Sequence, residues 1–420
     1  MEWNLKLIYD TEDEFEKDFS KVDEDILRFE GLKGKLGDYS NFKQYIALDI
    51  ESSKRINKLF VYASMKHDLN QKNMQSKERF NRVYSKYNEL IAKTSWIQPE
   101  LLSIGEDTIM KYCNTEELKA STFAMKKLFR MHEYIKDAKI EEVMANYQDA
   151  TGVFQKLYND LTIVDNQSHR IQISTGERIE INDSNFRYYL GVLKNQEDRK
   201  KIFETIFQFY DKHKATLADI YNGILQAELA ECKNRGYASI LDNRLFPNHI
   251  DKNVYLSLVQ TAKENVAPVL KYLNLRKKQF GLKEYHTYDR FLSFRESKVK
   301  YTYETSKKMV LDACKTMGSD FYQKACRVLE TGRVSVDIKD GKAGGAYSTS
   351  TYENGPFILL NHSCQIDDAF TIAHEAGHSI HTLYSIEHQP YQTSDYVIFV
   401  AEIASTFNEQ LFLDYMLEHT

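Results

Sequence analysis

The sequence predicts a mainly α-helical fold with one small β-sheet. Three observations carry that expectation. The chain of 420 residues holds only five prolines, and none lies between Pro99 and Pro247. Proline removes a backbone donor and clashes with the preceding helical turn, so a long proline-free stretch favours helix. Apolar residues recur at helical spacing. Only two segments break that pattern in the manner of strands.

The elements follow in chain order. Leu128, Met131, Ile135 and Ala138 mark one face, with Lys127, Arg130, Glu133 and Lys136 between them. This stripe is expected to face a core. Arg170 to Ile181 alternates apolar and polar residues around Thr175-Gly176 and predicts a hairpin. A domain boundary is expected near residue 195, dividing a helical domain over residues 1–195 from a second over 196–420. Val254, Leu258, Ala262 and Val266 step by four and are also expected to face inward. Glu353-Asn354-Gly355-Pro356 predicts a turn between strands over Tyr347 to Tyr352 and Phe357 to Leu360.

Composition excludes several classes of function. Hydrophobic residues make up 42% and charged residues 28%, ordinary for a globular protein. A net charge of -5 leaves no electrostatic footprint for nucleic acid or for an anionic membrane. The opening MEWNLKLIYDTEDEFEKDF has no basic start followed by an apolar run, so no secretory signal is expected. No apolar run of about 18 residues predicts a membrane span. The cysteines at 113, 232, 314, 326 and 364 are odd in number and scattered, which points to a reducing compartment and buried thiols.

The chemistry concentrates in DDAFTIAHEAGHSIHTLYS, Asp367 to Ser385. Its apolar spacing predicts a helix. His374 and His378 then stand one turn apart on one face, where two imidazoles can grip one metal ion. Neutral imidazole suits zinc, so one Zn2+ per chain is expected. Glu375 projects from an adjoining part of the helix surface, where a carboxylate reaches an activated water without taking a coordination position. That assigns Glu375 as general base.

A catalytic zinc needs three protein ligands. The segment Asp395 to Met416 predicts a second helix with Glu402 near its start, and Glu402 is the leading candidate. His381, Asp395, Glu387 and Glu409 remain alternatives. Glu409, two turns beyond Glu402, has a second possible role, holding a ligand imidazole from behind. The strand pair ahead of the motif suggests a place for substrate. An edge strand beside a metal site can pair with an extended peptide. Gly344 and Gly345 would let a backbone approach closely, so Gly344, Gly345, Ala346 and Tyr347 are candidate substrate-binding residues.

These residues carry a family resemblance. HEAGHSIH, His374 to His381, resembles the HExGHxxH signature of the thimet oligopeptidase family of zinc peptidases. GGAYSTSTYENGPFILLN and DAFTIAHEAGH are similar to its bacterial oligoendopeptidase F branch, as are YASMKHDLNQKN, WIQPELL, YLNLRKKQFGL and the placing of Trp3, Leu5 and Tyr9. The resemblance covers essentially the whole chain. It implies an elongated, two-lobed helical fold around a deep substrate channel, with residues 1–195 as a channel lobe and 196–420 as the catalytic domain. It implies short unstructured peptides as substrates, a cytoplasmic setting, His374, His378 and Glu402 as zinc ligands, and Glu375 as the base. Family members continue past the point matching Thr420, in a part that normally supplies His and Tyr residues for substrate and oxyanion. A second expectation is therefore a catalytically weak, peptide-binding or partner-dependent fragment that keeps the zinc site.

Overall fold

The computed structural model describes residues 1–294 and 299–419. The chain is mainly helical and forms two compact units, one of Met1–Val153 with Tyr301–Thr420, the other of Phe154–Lys300. The boundary expected near residue 195 falls inside the second unit, between the helices Phe186–Val192 and Gln196–Lys212. Packing explains why those helices stay together. Phe186 and Leu190 from one, and Ile202 and Ile206 from the other, share a buried cluster. A cut at 195 would divide that core.

In the second unit, β1 (His169–Gln172) and β2 (Arg178–Ile181) form the hairpin, antiparallel with Ile171 opposite Ile179. Their apolar face joins the same cluster. Arg199 and Asp289 form a fully buried ion pair. The guanidinium also donates to the Leu193 and Lys194 carbonyls, and the carboxylate accepts from Gln196 and the His286 amide. Such satisfaction is what makes a buried pair tolerable. The inward-facing expectation for Val254 to Val266 is overturned. Helix Lys252–Glu264 has no buried residue, and Val254 and Leu258 are 49% and 67% exposed. Helical spacing marks an apolar stripe but not what lies against it.

In the first unit, α1 (Glu12–Leu32), α2 (Tyr39–Asp68) and α3 (Met74–Thr94) pack around Phe15, Phe42, Leu59 and Met65. Each starts at a capping side chain, Thr11, Asp38 and Asn73, which accepts a backbone hydrogen bond from the first turn. The stripe from Leu128 to Ala138 is split. One helix ends at Arg130, a 3-10 turn covers His132–Tyr134, and the Asp137 side chain caps a new helix at Ala138.

The same unit holds a three-stranded sheet of β3 (Val334–Ser335), β4 (Tyr347–Thr351) and β5 (Gly355–Leu359), in the order β3-β5-β4. β5 runs parallel to β3 and antiparallel to β4. It is buried throughout, and its alternation serves two cores. Phe357 and Leu359 join the cluster of the amino-terminal helices, while Ile358 and Leu360 join a second cluster under the motif helix. Trp3 fastens the chain start to this strand, its indole donating to the Ile358 carbonyl at 2.8 Å.

Buried Lys342 ties the sheet ends together, donating to the carbonyls of Leu360 at 2.6 Å and Asp337 at 2.7 Å. Burial pushes its ammonium down to about 8. Lys342→Met would strand those carbonyls without a donor. It is expected to cost about 2–3 kcal/mol of stability, read as a lower urea midpoint at unchanged slope.

Candidate active site

The motif helix spans Ile366–His388. It opens with a reciprocal cap. The Asp368 carboxylate accepts from the Gln365 amide at 2.8 Å and from the Ser363 amide and hydroxyl, fixing the entry angle. Ala369, Ile372, Ala373, Ala376, Ile380 and Leu383 bury one face in the second cluster. The opposite side presents the polar residues of the motif.

The helix after it spans Ile398–His419 and carries Glu402. It buries Ala401, Ser405, Asn408, Phe412 and Met416, steps of three or four residues along one face. The small members of that stripe meet Gly377. A Cβ at 377 would lie 2.8 Å from the Ala404 carbonyl and 2.9 Å from both Asn408 Cβ and Ser405 Cα. Only glycine permits this approach. Asn408 locks it, donating from its buried amide to the Ala373 carbonyl at 2.5 Å.

Close crossing brings the metal-binding types together. His374 Nε2 and His378 Nε2 are 3.1 Å apart, and Glu402 Oε2 lies 3.6 Å and 3.8 Å from them. An ion holding nitrogen and oxygen ligands tetrahedrally at ~2.0–2.2 Å separates them by about 3.4 Å. The three atoms therefore outline one face of such a tetrahedron, and among the described residues this is the group with metal-binding geometry. The donor set of two imidazoles and a carboxylate fits zinc.

The surroundings orient these groups. Glu409 Oε1 lies 2.5 Å from His374 Nδ1. A carboxylate only accepts, so Nδ1 carries the proton and Nε2 turns a lone pair inward. His378 has a hydrogen bond to the backbone of Ala401, and burial lowers its pKa, which favours the neutral ring a metal needs. Glu402 Oε2 accepts from the Ser405 hydroxyl at 2.9 Å. Neither Ser405 nor Asn408 stood out in the sequence. Their signal was their place, three and six residues after Glu402, on the buried face of the same helix.

Glu375 is only 5% exposed, and its Oε2 has no hydrogen-bond partner. Burial, with smaller contributions from nearby Glu402 and Glu409, pushes its carboxyl up to about 7, against the lowering effect of His374. A buried, unpaired carboxylate beside a cluster of metal-binding type is where a proton acceptor for water chemistry is expected.

The other ligand candidates lie outside this group. His381 packs against Tyr396 in a tilted ring contact with centres 4.0 Å apart, Glu387 pairs with Lys324 and Arg327, and Asp395 accepts from the Tyr396 amide. Of the proposed substrate contacts, Gly344 and Gly345 are exposed with open space above them, and Gly345 adopts a φ of +76° that favours glycine. Ala346 packs against the second cluster. The Tyr347 side chain belongs to the fold. Its ring lies beside Trp3 and its hydroxyl donates to Asp68 at 2.7 Å.

Glu409→Gln removes the charge behind His374 while keeping its shape. It is expected to weaken zinc binding roughly 10- to 100-fold, measured by competition with a chromophoric chelator. Unchanged affinity would assign Glu409 to folding alone.

Comparison with known proteins gives consistent matches. The profile of peptidase family M3 matches residues 190–420, and a profile described as oligopeptidase F matches residues 100–167. The chain is 30% identical to oligopeptidase PepF of Bacillus subtilis over 421 residues, covering 99% of this chain and 62% of that protein. It is 28% identical to an oligoendopeptidase F homolog of Borreliella burgdorferi, covering 99% and 70%. The crystal structure of oligoendopeptidase-F from Enterococcus faecium superposes with a TM-score of 0.73 at 22% identity, over 97% of this chain and 68% of that one. The chain thus spans roughly two thirds of the length of the proteins it matches.

Proposed function

The chain belongs to peptidase family M3, in its oligoendopeptidase F branch, and from that premise we propose that it is a zinc-dependent metalloendopeptidase cleaving internal bonds of short oligopeptides. The observation that carries the proposal is the triangle of His374, His378 and Glu402 ligand atoms with the unpartnered Glu375 carboxylate on the same helix. In this reading His374, His378 and Glu402 hold one zinc ion per chain. When bound, the ion supplies Lewis acidity, making water more acidic and a scissile carbonyl more electrophilic.

The chain's own groups do the rest. Glu375 accepts the proton of the attacking water and passes it to the leaving amine, a task suited to a carboxyl raised toward neutrality. Glu409 fixes the His374 tautomer. β4 is the outer strand of its sheet, paired to β5 on one side. Its other side is offered to an extended peptide, with the exposed Gly344 and Gly345 leaving room at its start. Main-chain pairing of this kind selects extended, unfolded substrates. A cytoplasmic setting belongs to the same proposal, supported by five free cysteines. Among the described residues, no helix is long and apolar enough to cross a membrane.

The test is cleavage of a quenched-fluorescent peptide library by the zinc-loaded chain. Cleavage that a chelator abolishes and zinc restores is the expected result. Zinc binding without cleavage would favour the other reading, a peptide-binding chain that keeps the metal site without turnover.

A further inference from the structure

We infer that Asp68, on a helix remote from the motif, is a positioning residue for the peptide substrate, acting through Tyr347 on the start of β4. The inference rests on the proposed role of that strand. Asp68 is the last residue of α2. Its Oδ2 accepts from the Tyr347 hydroxyl at 2.7 Å and its Oδ1 from the Gln71 amide at 3.2 Å. Its backbone carbonyl accepts from the Ala343 amide at 2.8 Å.

Neighbours of Asp68 extend the seam. The Gln71 amide donates to the Gly341 carbonyl at 2.6 Å, and Lys72 pairs with Asp340 at 2.9 Å. From the other side, the Asn361 amide donates to the carbonyls of Ala343 and Gly345, both at 2.9 Å. The segment 340–347 is therefore fastened at both ends, while Gly344 and Gly345 stay exposed, with open space where a side chain would point. Fixed ends and an open middle are what a surface for an extended chain requires.

The seam also reaches the metal-binding helix. Ser348, next after Tyr347, shares a hydrogen bond of 2.8 Å with Ser379, the neighbour of His378. Asp68, Tyr347, Ser348 and Ser379 thus set where the edge strand runs relative to the ligand imidazoles. The Asp68 carboxylate accepts from both Tyr347 and Gln71. Loosening it should let the strand start drift while leaving the zinc ligands in place.

The experiment compares Asp68→Ala, which removes the acceptor, and Tyr347→Phe with the unaltered zinc-loaded chain, using the library peptide it cleaves best. Each change is expected to raise KM about tenfold, with kcat within about twofold and zinc content unchanged. The double variant should be no worse than either single one, because both break one link. Unchanged KM in both variants, or a fall in kcat at constant KM, would overturn the inference while leaving the peptidase reading intact. Should Asp68→Ala fail to fold, Tyr347→Phe decides, since it removes one hydroxyl and keeps the ring beside Trp3. If the unaltered chain cleaves nothing, the peptidase reading fails separately. Fluorescence anisotropy of the labelled library then decides the inference, with about tenfold weaker binding by the variants supporting it and equal binding or none overturning it.

Discussion

Glu375→Gln is expected to lower kcat about 100- to 10,000-fold while zinc stays bound at the unaltered stoichiometry. The argument is geometric first. Glu375 shares the helix of His374 and His378, is buried, and leaves Oε2 without a partner. Glutamine matches its size and polarity but cannot accept and pass on a proton. Packing is therefore preserved and only the transfer is lost. Parallel measurement of kcat and of zinc per chain separates the possible roles. Retained turnover would remove Glu375 from the base role. Loss of the metal would instead make it a ligand.

Gly377→Ala is expected to destabilise the chain by about 1–3 kcal/mol and to weaken zinc binding at least roughly tenfold. On an ordinary helix surface the same change stabilises by up to ~1 kcal/mol, because glycine is the poorer helix former. Here the added methyl meets the backbone of the Glu402 helix at 2.8–2.9 Å. Backbone cannot swing aside as a flexible side chain can, so the two helices must separate. Glu402 and Glu409 then move together away from His374 and His378. The sign of the effect is diagnostic. A stabilised Gly377→Ala chain with unchanged zinc affinity would mean that the close crossing does not set the site.

Much of this was legible in the sequence where the signal is local. The turn around Glu353 and Asn354 places β4 and β5 within two residues of their expected ends, although Gly355 and Pro356, read as turn, already belong to β5. The spacing of His374 and His378 likewise follows from helix geometry alone. Glu402 was only the leading member of a set, since its position depends on a crossing between two helices. The feature that permits that crossing, Gly377, reads in sequence as an ordinary weak point of a helix.

Other features lay beyond local pattern. The chain leaves the first unit at residue 153 and returns at 301, and no composition shift marks either point. The stripe from Leu128 to Ala138 fits one helix by spacing, yet Asp137 caps a new one, a stop signal outweighed by the periodicity. Val254 and Leu258 keep a helical period while facing solvent. Asp68 and Tyr347 are 279 residues apart, and their meeting is a product of the fold.

The most direct test of the whole account is a zinc titration of the metal-free chain against a chromophoric chelator, repeated with His378→Ala and Glu402→Ala. The expected result is saturation at one zinc per chain, with affinity collapsing in His378→Ala and falling steeply in Glu402→Ala while both variants stay folded by circular dichroism. No saturable zinc, or tight binding indifferent to the loss of His378, would contradict a metal site built from His374, His378 and Glu402.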